Sequence, residues 1–247
     1  MGSLFGLQDK VILVTGASSG IGRSIAVMCA EQGATLKLTA RNPERLEETL
    51  QLLPKGNHSY FSADLTSEEA ISALVQELPE LDGLILNAGM VKLVPIRFIK
   101  KEDMEEMFSL TVHSSALLIQ QLLKHKKIKQ GSSICFISSV ASQKITIGNS
   151  MYSAAKGALN SFAKSLAIEL SPKQIRVNAI LPGMIVTNIL KDSSISSQQL
   201  DEHMKNYPIG RFGTPEDVAG LTVYLMSDIS KWMTGSLLTI DGGYTLK

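Results

Sequence analysis

The chain alternates between two kinds of segment, short apolar runs rich in β-branched residues and longer stretches with helical periodicity. The apolar runs occupy residues 11–15, 35–39, 59–63, 83–87, 133–138, 176–181 and 236–240. The clearest helical patterns lie between them, at residues 20–32, 43–53, 67–78, 101–124, 152–170 and 215–227. Strands that are apolar along almost their whole length are typical of a parallel sheet buried on both faces. The sequence therefore predicts an α/β fold, a doubly wound and mostly parallel seven-stranded sheet with helices on both faces.

The alternation continues along the chain without a linker, an internal repeat or a low-complexity tract. We therefore expect residues 1–247 to form one domain. The exception is the polar, serine-rich stretch 188–212, NILKDSSISSQQLDEHMKNYPIGRF. Irregular polar segments often close over binding sites, so we predict a mobile substrate loop or lid there.

Composition and charge exclude several classes of function. The formal net charge is +1 and 19% of the residues are charged, whereas a general nucleic-acid binder needs a strongly basic surface. The basic cluster at 124–129 ends a predicted helix, where the helix dipole favours cations. No apolar run approaches the roughly 18 residues of a membrane span, and the first residues lack a signal-peptide pattern. We expect a cytoplasmic protein without a nucleic-acid or membrane partner.

The two cysteines, Cys29 and Cys135, fall in a predicted helix and a predicted buried strand. Their separation matches neither a metal-ligand pattern nor a C-x-x-C redox motif. We interpret both as reduced core residues in a reducing compartment, and we predict no metal site.

A glycine-rich turn, TGASSGIGR, joins the first predicted strand to the first predicted helix. Gly16, Gly20 and Gly22 let the backbone turn sharply and approach a ligand closely. The helix that follows offers its unpaired N–H groups and the positive end of its dipole to a pyrophosphate. The spacing G-x-x-x-G-x-G differs from the standard G-x-G-x-x-G fingerprint, but the strand–turn–helix context is that of a dinucleotide site.

The end of the second strand predicts which dinucleotide binds. A carboxylate about 20 residues beyond the glycines would bind the ribose 2′-hydroxyl of NAD. The chain instead has Ala40 followed by Arg41, 19 residues after Gly22. Because a guanidinium matches a phosphate with two parallel hydrogen bonds, we predict that Arg41 binds the 2′-phosphate of NADP(H).

A tyrosine and a lysine share the predicted buried face of the helix 152–170. Tyr152 and Lys156 are four residues apart, and the same stripe continues through apolar residues to Leu170. A lysine at the end of an apolar stripe often keeps its ammonium in water, so this pair alone is weak evidence for chemistry. Ser139, however, follows the fifth strand, and parallel strands gather their carboxyl ends at one ligand-binding edge.

Several ordered motifs together resemble the short-chain dehydrogenase/reductase family in its short single-domain branch. They are KVILVTGASSGIG, NAG at 87–89, Y-x-x-x-K at 152–156, LPGMIVT at 181–187, GRFGTPEDVAG and GSLLTIDGG, and together they span nearly the whole chain. The resemblance implies a Rossmann-type sheet, a nicotinamide cofactor, and Ser139, Tyr152 and Lys156 as the catalytic set. It also implies a homo-oligomer, a tetramer or a dimer, with the helices 101–124 and 152–170 at interfaces.

The resemblance assigns the remaining cofactor contacts by position. They comprise Gly16, Ser18, Ser19, Gly20, Ile21 and Gly22 of the turn, Asp64 and Leu65 at the adenine, Asn87, Ala88 and Gly89 along the cofactor, and Pro182, Gly183, Ile185 and Thr187 at the nicotinamide end. Tyr152 and Lys156 also face the cofactor, with Lys156 within reach of the nicotinamide ribose.

The chemistry of the tyrosine and lysine follows from their charges. A free phenol has a pKa of about 10 and is a poor acid near neutrality. A cation one helical turn away favours the phenolate, so we expect Lys156 to lower the pKa of Tyr152. Ser139 can donate to the substrate oxygen and hold the carbonyl in line.

The chain departs from the family pattern at two positions. Leu86 replaces the first asparagine of the usual NNAG, a change that a strand end tolerates. The second departure concerns the asparagine that holds a water in the family's proton relay. Aligning EMFSLTVHSSALLIQQ puts Thr111 at that position, so the relay is altered in this chain.

Three functions remain open. The first is an NADP(H)-dependent oxidoreductase that transfers hydride between nicotinamide and a small carbonyl or alcohol substrate, with Tyr152 as acid and base. The second is a 3-oxoacyl-carrier-protein reductase, which the C-terminal motifs resemble but which needs a basic surface for an acidic carrier protein. The third is a cofactor-binding sensor or scaffold without catalysis, against which the intact Ser139, Tyr152 and Lys156 argue.

Overall fold

A seven-stranded parallel sheet forms the centre of the protein, in a computed structural model that describes residues 4–187 and 197–247. Its strands are β1 (Val11–Thr15), β2 (Thr35–Ala40), β3 (Ser59–Ser62), β4 (Leu81–Leu86), β5 (Ile128–Ile137), β6 (Arg176–Pro182) and β7 (Leu237–Ile240). They lie in the order β3-β2-β1-β4-β5-β6-β7, and every neighbouring pair is parallel. The predicted α/β class, the seven strands and their parallel direction are confirmed.

Helices cover both faces of the sheet. The α-helices are α1 (Gly20–Glu31), α2 (Pro43–Gln51), α3 (Glu68–Glu77), α4 (Lys101–Phe108), α5 (Ser114–Lys124), α6 (Ser150–Glu169), α7 (Ser197–Met204) and α8 (Pro215–Met226). Short 3₁₀ turns occur at Ile96–Phe98, Val140–Ser142, Ser171–Lys173, Asp228–Ser230 and Tyr244–Leu246. Thr214 and Asp217 form a capping box at the start of α8, where the backbone N–H of Thr214 donates to the Asp217 carboxylate at 2.7 Å.

Neighbouring residues of one strand enter different cores, one on each face of the sheet. Leu13 and Phe136 belong to the cluster that contains the buried sides of α3, α5 and α6. Ile12 and Cys135, the preceding residues, belong to the cluster with α1 and α8. All four side chains are fully buried. Because both faces are covered, these strands need no polar position, which explains the unbroken apolar runs in the sequence.

The strand order reverses beside β1, which pairs with β2 on one side and with β4 on the other. In open parallel sheets a crevice forms at such a reversal, beyond the carboxyl ends of the strands. Thr15 ends β1 and Leu86 ends β4. The segments that follow these two residues, the glycine-rich turn and the NAG sequence, therefore begin at the crevice.

Two predicted elements differ from the structure in extent. The predicted helix 101–124 is divided, because a π-helix at Ser109–His113 separates α4 from α5. The fifth strand begins at Ile128, inside the basic cluster 124–129 that is predicted to end a helix. Lys129 is accommodated in this strand because its ammonium pairs with the carboxylate of Asp82 at 2.8 Å on neighbouring β4.

The prediction of an irregular loop over 188–212 is wrong for its central part. Residues Ser197–Met204 form α7. Leu200 and Met204, four residues apart, share one helix face and pack against the cluster of α3, α5 and α6. These two apolar contacts thus stabilise a helix that could not be recognised in a serine-rich and charged part of the sequence. Residues 188–196 of the predicted lid lie outside the described residues.

Candidate active site

The glycine-rich turn between β1 and α1 requires glycine at several positions. Gly16 and Gly20 have positive φ angles of 64° and 53°, a region that other L-residues rarely adopt. A Cβ atom on Gly22 would lie 2.2 Å from the carbonyl oxygen of Gly16, so α1 approaches the turn closely. At these glycine positions the turn therefore presents bare backbone beyond the carboxyl end of β1.

Asn87, directly after β4, connects the carboxyl end of β4 to this turn through hydrogen bonds. Its side-chain amide donates to the carbonyl oxygens of Thr15 and Gly16 at 3.2 and 3.1 Å. The hydroxyl oxygen of Thr15 accepts from the backbone N–H groups of Asn87 and Ala88, both at 3.0 Å. The sequence prediction omitted Thr15, although it belongs to the TGASSGIG motif. Asn87 holds the turn in shape in addition to the cofactor role predicted for it.

The N-terminus of α1 has no side-chain cap. Ser19 occupies the capping position, but its side chain makes no capping hydrogen bond and the first turn contains no acidic residue. By contrast, Asn42 and Ser67 cap α2 and α3 with their side chains. The first N–H groups of α1 and the positive end of its dipole thus face the crevice without an internal anion, as a pyrophosphate site requires.

Arg23, in α1, stabilises the turn through hydrogen bonds. Its guanidinium donates to the carbonyl oxygen of Ser18 at 2.7 Å and to the hydroxyl oxygen of Thr49 at 3.0 Å. It also pairs with the carboxylate of Glu48 at 2.9 Å. These contacts join the turn to α2 and engage the guanidinium structurally. The sequence prediction missed this role, whose only local signal is an arginine directly after the glycine motif.

Arg41 and Asp64 lie side by side at the carboxyl ends of β2 and β3. The side chain of Arg41 is exposed, while its backbone carbonyl accepts from the Ser62 hydroxyl at 3.0 Å. The N–H and hydroxyl of Thr66 hold the Asp64 carboxylate at 3.0 and 2.8 Å and, with a smaller effect from Arg41, lower its pKa. Leu65 is 5% exposed and packs in the core, so only its backbone can meet a ligand.

Lys156 directs its ammonium into the protein. The residue is 5% exposed, and its Nζ donates to the carbonyl oxygen of Ile137 at 2.8 Å. The Ser138 hydroxyl donates in turn to the carbonyl oxygen of Lys156 at 3.2 Å, so the end of β5 and α6 are bound together. Burial lowers the pKa of Lys156 to about 8. A lysine that only completed an apolar stripe would extend its ammonium to water, and this one does not.

Tyr152 lies beside Lys156 and Ser139, but its pKa shifts in the direction opposite to our prediction. The Nζ atom of Lys156 is 5.9 Å from the centroid of the Tyr152 ring. Burial raises the pKa of Tyr152, and a hydrogen bond with the Ser139 hydroxyl opposes only part of that rise. The prediction of a lowered pKa for Tyr152 is therefore wrong for this structure, because removal from water disfavours the phenolate by more than its polar neighbours favour it.

Thr111 and Lys156 face the same point beside Gly89. A Cβ atom on Gly89 would lie 3.6 Å from Lys156 Nζ and 4.0 Å from Thr111 Oγ1. Thr111 is fully buried in the π-helix, and within the described part of the chain its hydroxyl has no hydrogen-bond partner. Its carbonyl accepts from the Ser115 hydroxyl at 2.9 Å. π-helical turns occur often at functional sites, and this one brings a spare hydroxyl near the buried lysine.

The post-β6 segment, residues 183–187, reaches the glycine-rich turn. A Cβ atom on Gly20 would lie 3.2 Å from Cγ2 of Thr187. Ile185 forms an isolated parallel bridge with Gly213. The residues predicted to bind a cofactor after β1, β4 and β6 are therefore brought together around one crevice.

The remaining sequence features lie outside this site. Cys29 and Cys135 are free and fully buried, as predicted, and burial raises the pKa of both thiols. Among the described residues, no group of three or more His, Cys, Asp or Glu side chains is arranged to hold a metal ion. Within 4–187 and 197–247, no helix combines the length and the apolar character that crossing a membrane requires.

Comparison with known proteins agrees with this arrangement. A family model described as enoyl-(acyl carrier protein) reductase matches residues 16–245. The chain is 36% identical to the 3-oxoacyl-[acyl-carrier-protein] reductase of Mus musculus, over 97% of this chain and 99% of the relative. It is 34% identical to the NAD-dependent glycerol dehydrogenase of Listeria innocua, over 98% of this chain and 96% of the relative.

A solved structure gives the same result. The Pseudomonas aeruginosa RhlG/NADP active-site complex superposes with a TM-score of 0.91 at 32% identity, and the match covers 99% of this chain and 100% of that one. Together with the family model, these likenesses establish that the chain belongs to the short-chain dehydrogenase/reductase family.

Proposed function

We propose that the protein is an NADP(H)-dependent oxidoreductase that interconverts a carbonyl compound and its alcohol. The observation that supports this most is the group Ser139, Tyr152 and Lys156, a phenol beside a serine hydroxyl and close to a buried ammonium. Lowering the pKa of Lys156 from 10.5 to about 8 corresponds to roughly 3 kcal/mol against the charged form. A leucine at position 156 would avoid this cost. The lysine instead places a charge at the ligand-binding edge of the sheet.

The residues of the crevice fit a dinucleotide. The uncapped N-terminus of α1 can bind the pyrophosphate, and the glycines at 16 and 20 give it room to approach the backbone. Residues 87–89 and the post-β6 segment flank the path from there to Tyr152. A bound nicotinamide would supply or accept the hydride, and the protein would contribute position and electrostatics.

The protein's own part in the reaction is proton transfer and positioning. In reduction, Tyr152 donates its phenolic proton to the developing alkoxide, while the Ser139 hydroxyl donates a hydrogen bond to the same oxygen. Lys156 stabilises the phenolate that remains, because an opposite charge offsets part of the effect of burial. The raised pKa of Tyr152 keeps the phenol protonated at neutral pH, which is the form that reduction needs.

Arg41 supports NADP(H) over NAD(H). Its exposed guanidinium follows β2, at the place where an acidic side chain would bind the ribose 2′-hydroxyl, and Ala40 provides no acid. The relatives themselves differ, because the RhlG structure is an NADP complex whereas the Listeria enzyme is named NAD-dependent. The choice therefore rests on the chemistry of Arg41.

The substrate entrance has an apolar rim. Six exposed apolar side chains lie in the loop after β4 and in the loop between Ser139 and Tyr152, namely Val91, Leu93, Ile96, Phe98, Ile145 and Ile147. The N–H of Val94 donates to the carbonyl oxygen of Gly148 at 2.9 Å and joins the two loops. An exposed apolar patch of this kind marks a binding surface, so we infer a carbonyl substrate with an apolar body.

A 3-oxoacyl-carrier-protein reductase is the second candidate, because the Mus musculus relative has that name and an apolar rim suits an acyl chain. Docking of an acidic carrier protein requires cations that are free beside the entrance. Two cations of the rim are instead engaged, Lys92 with Asp103 and Arg97 over the ring of Phe98 at 4.5 Å. A ketone or aldehyde without a carrier is therefore the better candidate.

The test is NADPH oxidation by the purified protein with apolar ketones, sugars, steroids and 3-oxoacyl thioesters, the last on a small thiol or on acyl carrier protein. We expect turnover of apolar carbonyl compounds without the carrier. A rate that requires the carrier protein would favour the second candidate. NADPH binding without turnover of any carbonyl would instead support the sensor or scaffold. Ser139→Ala is the matched variant, and it should bind NADPH and lose most turnover.

We further propose that the protein acts as a homo-oligomer, a tetramer or a dimer, in the cytoplasm. The outer face of α6 supports an interface, because it exposes the small residues Ala154, Ser161 and Ser165 and then Ile168, which is 79% exposed. Light scattering after size exclusion should give two or four times the mass of the chain. A monomer at micromolar concentration would contradict this proposal.

A further inference from the structure

The post-β6 segment is held by residues 207–213, which we call the crossing segment. The N–H of Gly213 donates to the carbonyl oxygen of Met184 at 3.0 Å, and the N–H of Val186 donates to the carbonyl oxygen of Gly213 at 2.9 Å. The phenolic oxygen of Tyr207 accepts from the N–H of Met184 at 3.1 Å. Both backbone polar groups of Met184 are therefore bound by the crossing segment.

These three hydrogen bonds determine which way Ile185 faces. Successive peptide groups of an extended chain point in opposite directions. Because the Met184 carbonyl and the Val186 N–H are bound to the crossing segment, the N–H and C=O of Ile185 point away from that segment. Rotation of Met184 would change the direction of these two groups.

Tyr207 can hold Met184 because its own ring is fixed on several sides. The residue is 4% exposed, and its ring stacks on that of Tyr244 with centroids 4.9 Å apart and an interplanar angle of 15°. Phe212 and His203 make edge contacts with it at 5.2 and 5.7 Å. Burial raises the pKa of Tyr207 to about 12, so the phenol is neutral at physiological pH.

Tyr244 connects this aromatic cluster to the loop that follows Ser139. Lys144 donates to the carbonyl oxygen of Tyr244 at 2.8 Å, and its ammonium lies 4.3 Å from the centroid of the Tyr244 ring. The cluster therefore joins the segments that leave β5, β6 and β7 at the carboxyl edge of the sheet. Tyr207 is the member of this cluster whose polar group reaches the post-β6 segment.

We propose that Tyr207 is a positioning residue for the nicotinamide end of the cofactor, holding Met184 so that Ile185 presents its backbone N–H and C=O to the crevice. This rests on the proposed function, since it requires a nicotinamide cofactor there. The adenine end is predicted at Arg41 and Asp64, on the other side of β1. Loss of the Tyr207 hydroxyl should therefore affect one end of the cofactor alone.

The experiment compares Tyr207→Phe with Tyr224→Phe. Both remove one phenolic hydroxyl, but Tyr224 lies on α8, where its oxygen contacts the sulfur of Met233 at 3.2 Å. Titration calorimetry gives the dissociation constants of NADPH and of adenosine 2′,5′-bisphosphate, which has the adenine and the 2′-phosphate but no nicotinamide. Tyr207→Phe should weaken NADPH about 2- to 10-fold, the range for one net hydrogen bond, and leave the bisphosphate unchanged. Tyr224→Phe should change neither constant.

Equal NADPH affinity in Tyr207→Phe and in the unmodified protein would overturn the proposal. An equal loss of affinity for both ligands would also overturn it, because a general loosening of the fold acts on both ends of the crevice. If the unmodified protein binds neither ligand, the proposed function itself fails. That result is distinguishable from the first two because it appears before any variant is made.

Discussion

The ammonium of Lys156 lies 2.8 Å from the carbonyl oxygen of Ile137, the last residue of β5. This hydrogen bond connects α6 to the carboxyl end of β5 and keeps the ammonium inside the protein, 5.9 Å from the centroid of the Tyr152 ring. A charge in such a place interacts strongly with a nearby phenolate, because little water screens it. The same burial disfavours the charged ammonium itself. The protonation of Lys156 therefore affects both the charge of the site and the stability of the fold.

Lys156→Met is expected to stabilise the fold at pH 7 and to lose this advantage as the pH rises. Burial lowers the pKa of Lys156 from 10.5 to about 8, so below pH 8 the folded protein contains a charge that the unfolded chain leaves in water. Between these two values the folded state releases the proton first, and a destabilisation of roughly 3 kcal/mol disappears. Urea unfolding midpoints of both proteins from pH 7 to pH 10.5 measure the difference.

Lys164→Met is the matched control, because Lys164 lies on the exposed face of the same helix. It should show no comparable dependence on pH. A difference between Lys156→Met and the unmodified protein that stays constant over this range would mean that burial does not depress the pKa of Lys156.

Tyr152→Phe is expected to remove most turnover and to leave NADPH binding nearly intact, because the change deletes only the transferable proton. General acid–base catalysis contributes about 10²- to 10⁴-fold, so kcat should fall by at least two orders of magnitude. Lys156→Ala should impair both turnover and binding, since the lysine is also predicted to face the nicotinamide ribose. Steady-state NADPH oxidation and a fluorescence titration measure the two quantities. If Tyr152→Phe kept most of its activity, another group would be the acid.

Arg41→Ala is expected to weaken NADPH and to change NADH little. Loss of one charge-assisted hydrogen-bonded contact is worth about 1.5–3 kcal/mol, or roughly 10- to 150-fold in the dissociation constant. Arg45→Ala serves as the control, because Arg45 is a second exposed arginine four residues away. Equal affinity of the unmodified protein for NADPH and NADH would refute the assignment. A selective loss in Arg45→Ala instead of Arg41→Ala would move it to the neighbouring side chain.

The sheet could be predicted because burial on both faces imposes a simple rule on its strands. Cys135 and Phe136 are adjacent and both fully buried, on opposite faces, so the strand has to be apolar at every position. The rule fails where a distant partner satisfies a polar residue. Lys129 lies in β5 because Asp82, 47 positions earlier, pairs with it, and no local pattern contains that information.

The residues of the candidate site also fall into two groups, those that the sequence could predict and those that it could not. Gly16 could be identified because a turn residue with positive φ is usually a glycine, and glycines can be read directly from the sequence. Thr15 and Tyr207 could not, because their roles consist of hydrogen bonds to residues 72 and 23 positions away. The pKa of Tyr152 was predicted with the wrong sign because the sequence shows the neighbouring cation and not the extent of burial.

Thr111→Asn is expected to raise kcat and to leave the NADPH dissociation constant unchanged. Thr111 faces the point beside Gly89 that Lys156 Nζ also approaches, and its buried hydroxyl has no partner among the described residues. An asparagine amide both donates and accepts, so it can hold a water against the ammonium in a way that a single hydroxyl cannot. Faster return of protons through Lys156 to Tyr152 should increase turnover and alter the solvent isotope effect.

The measurement is steady-state turnover of one accepted substrate in light and heavy water, with Thr111→Val as the control. Valine has the shape of threonine without the hydroxyl, so it should give no gain in kcat, while removing an unpartnered buried polar group should raise the unfolding midpoint. Asparagine is larger than threonine and Thr111 is fully buried, so the same unfolding measurement checks that Thr111→Asn remains folded. A folded Thr111→Asn protein with unchanged kcat and unchanged isotope effect would show that proton return does not limit the reaction, since the substitution acts only on the group next to Lys156.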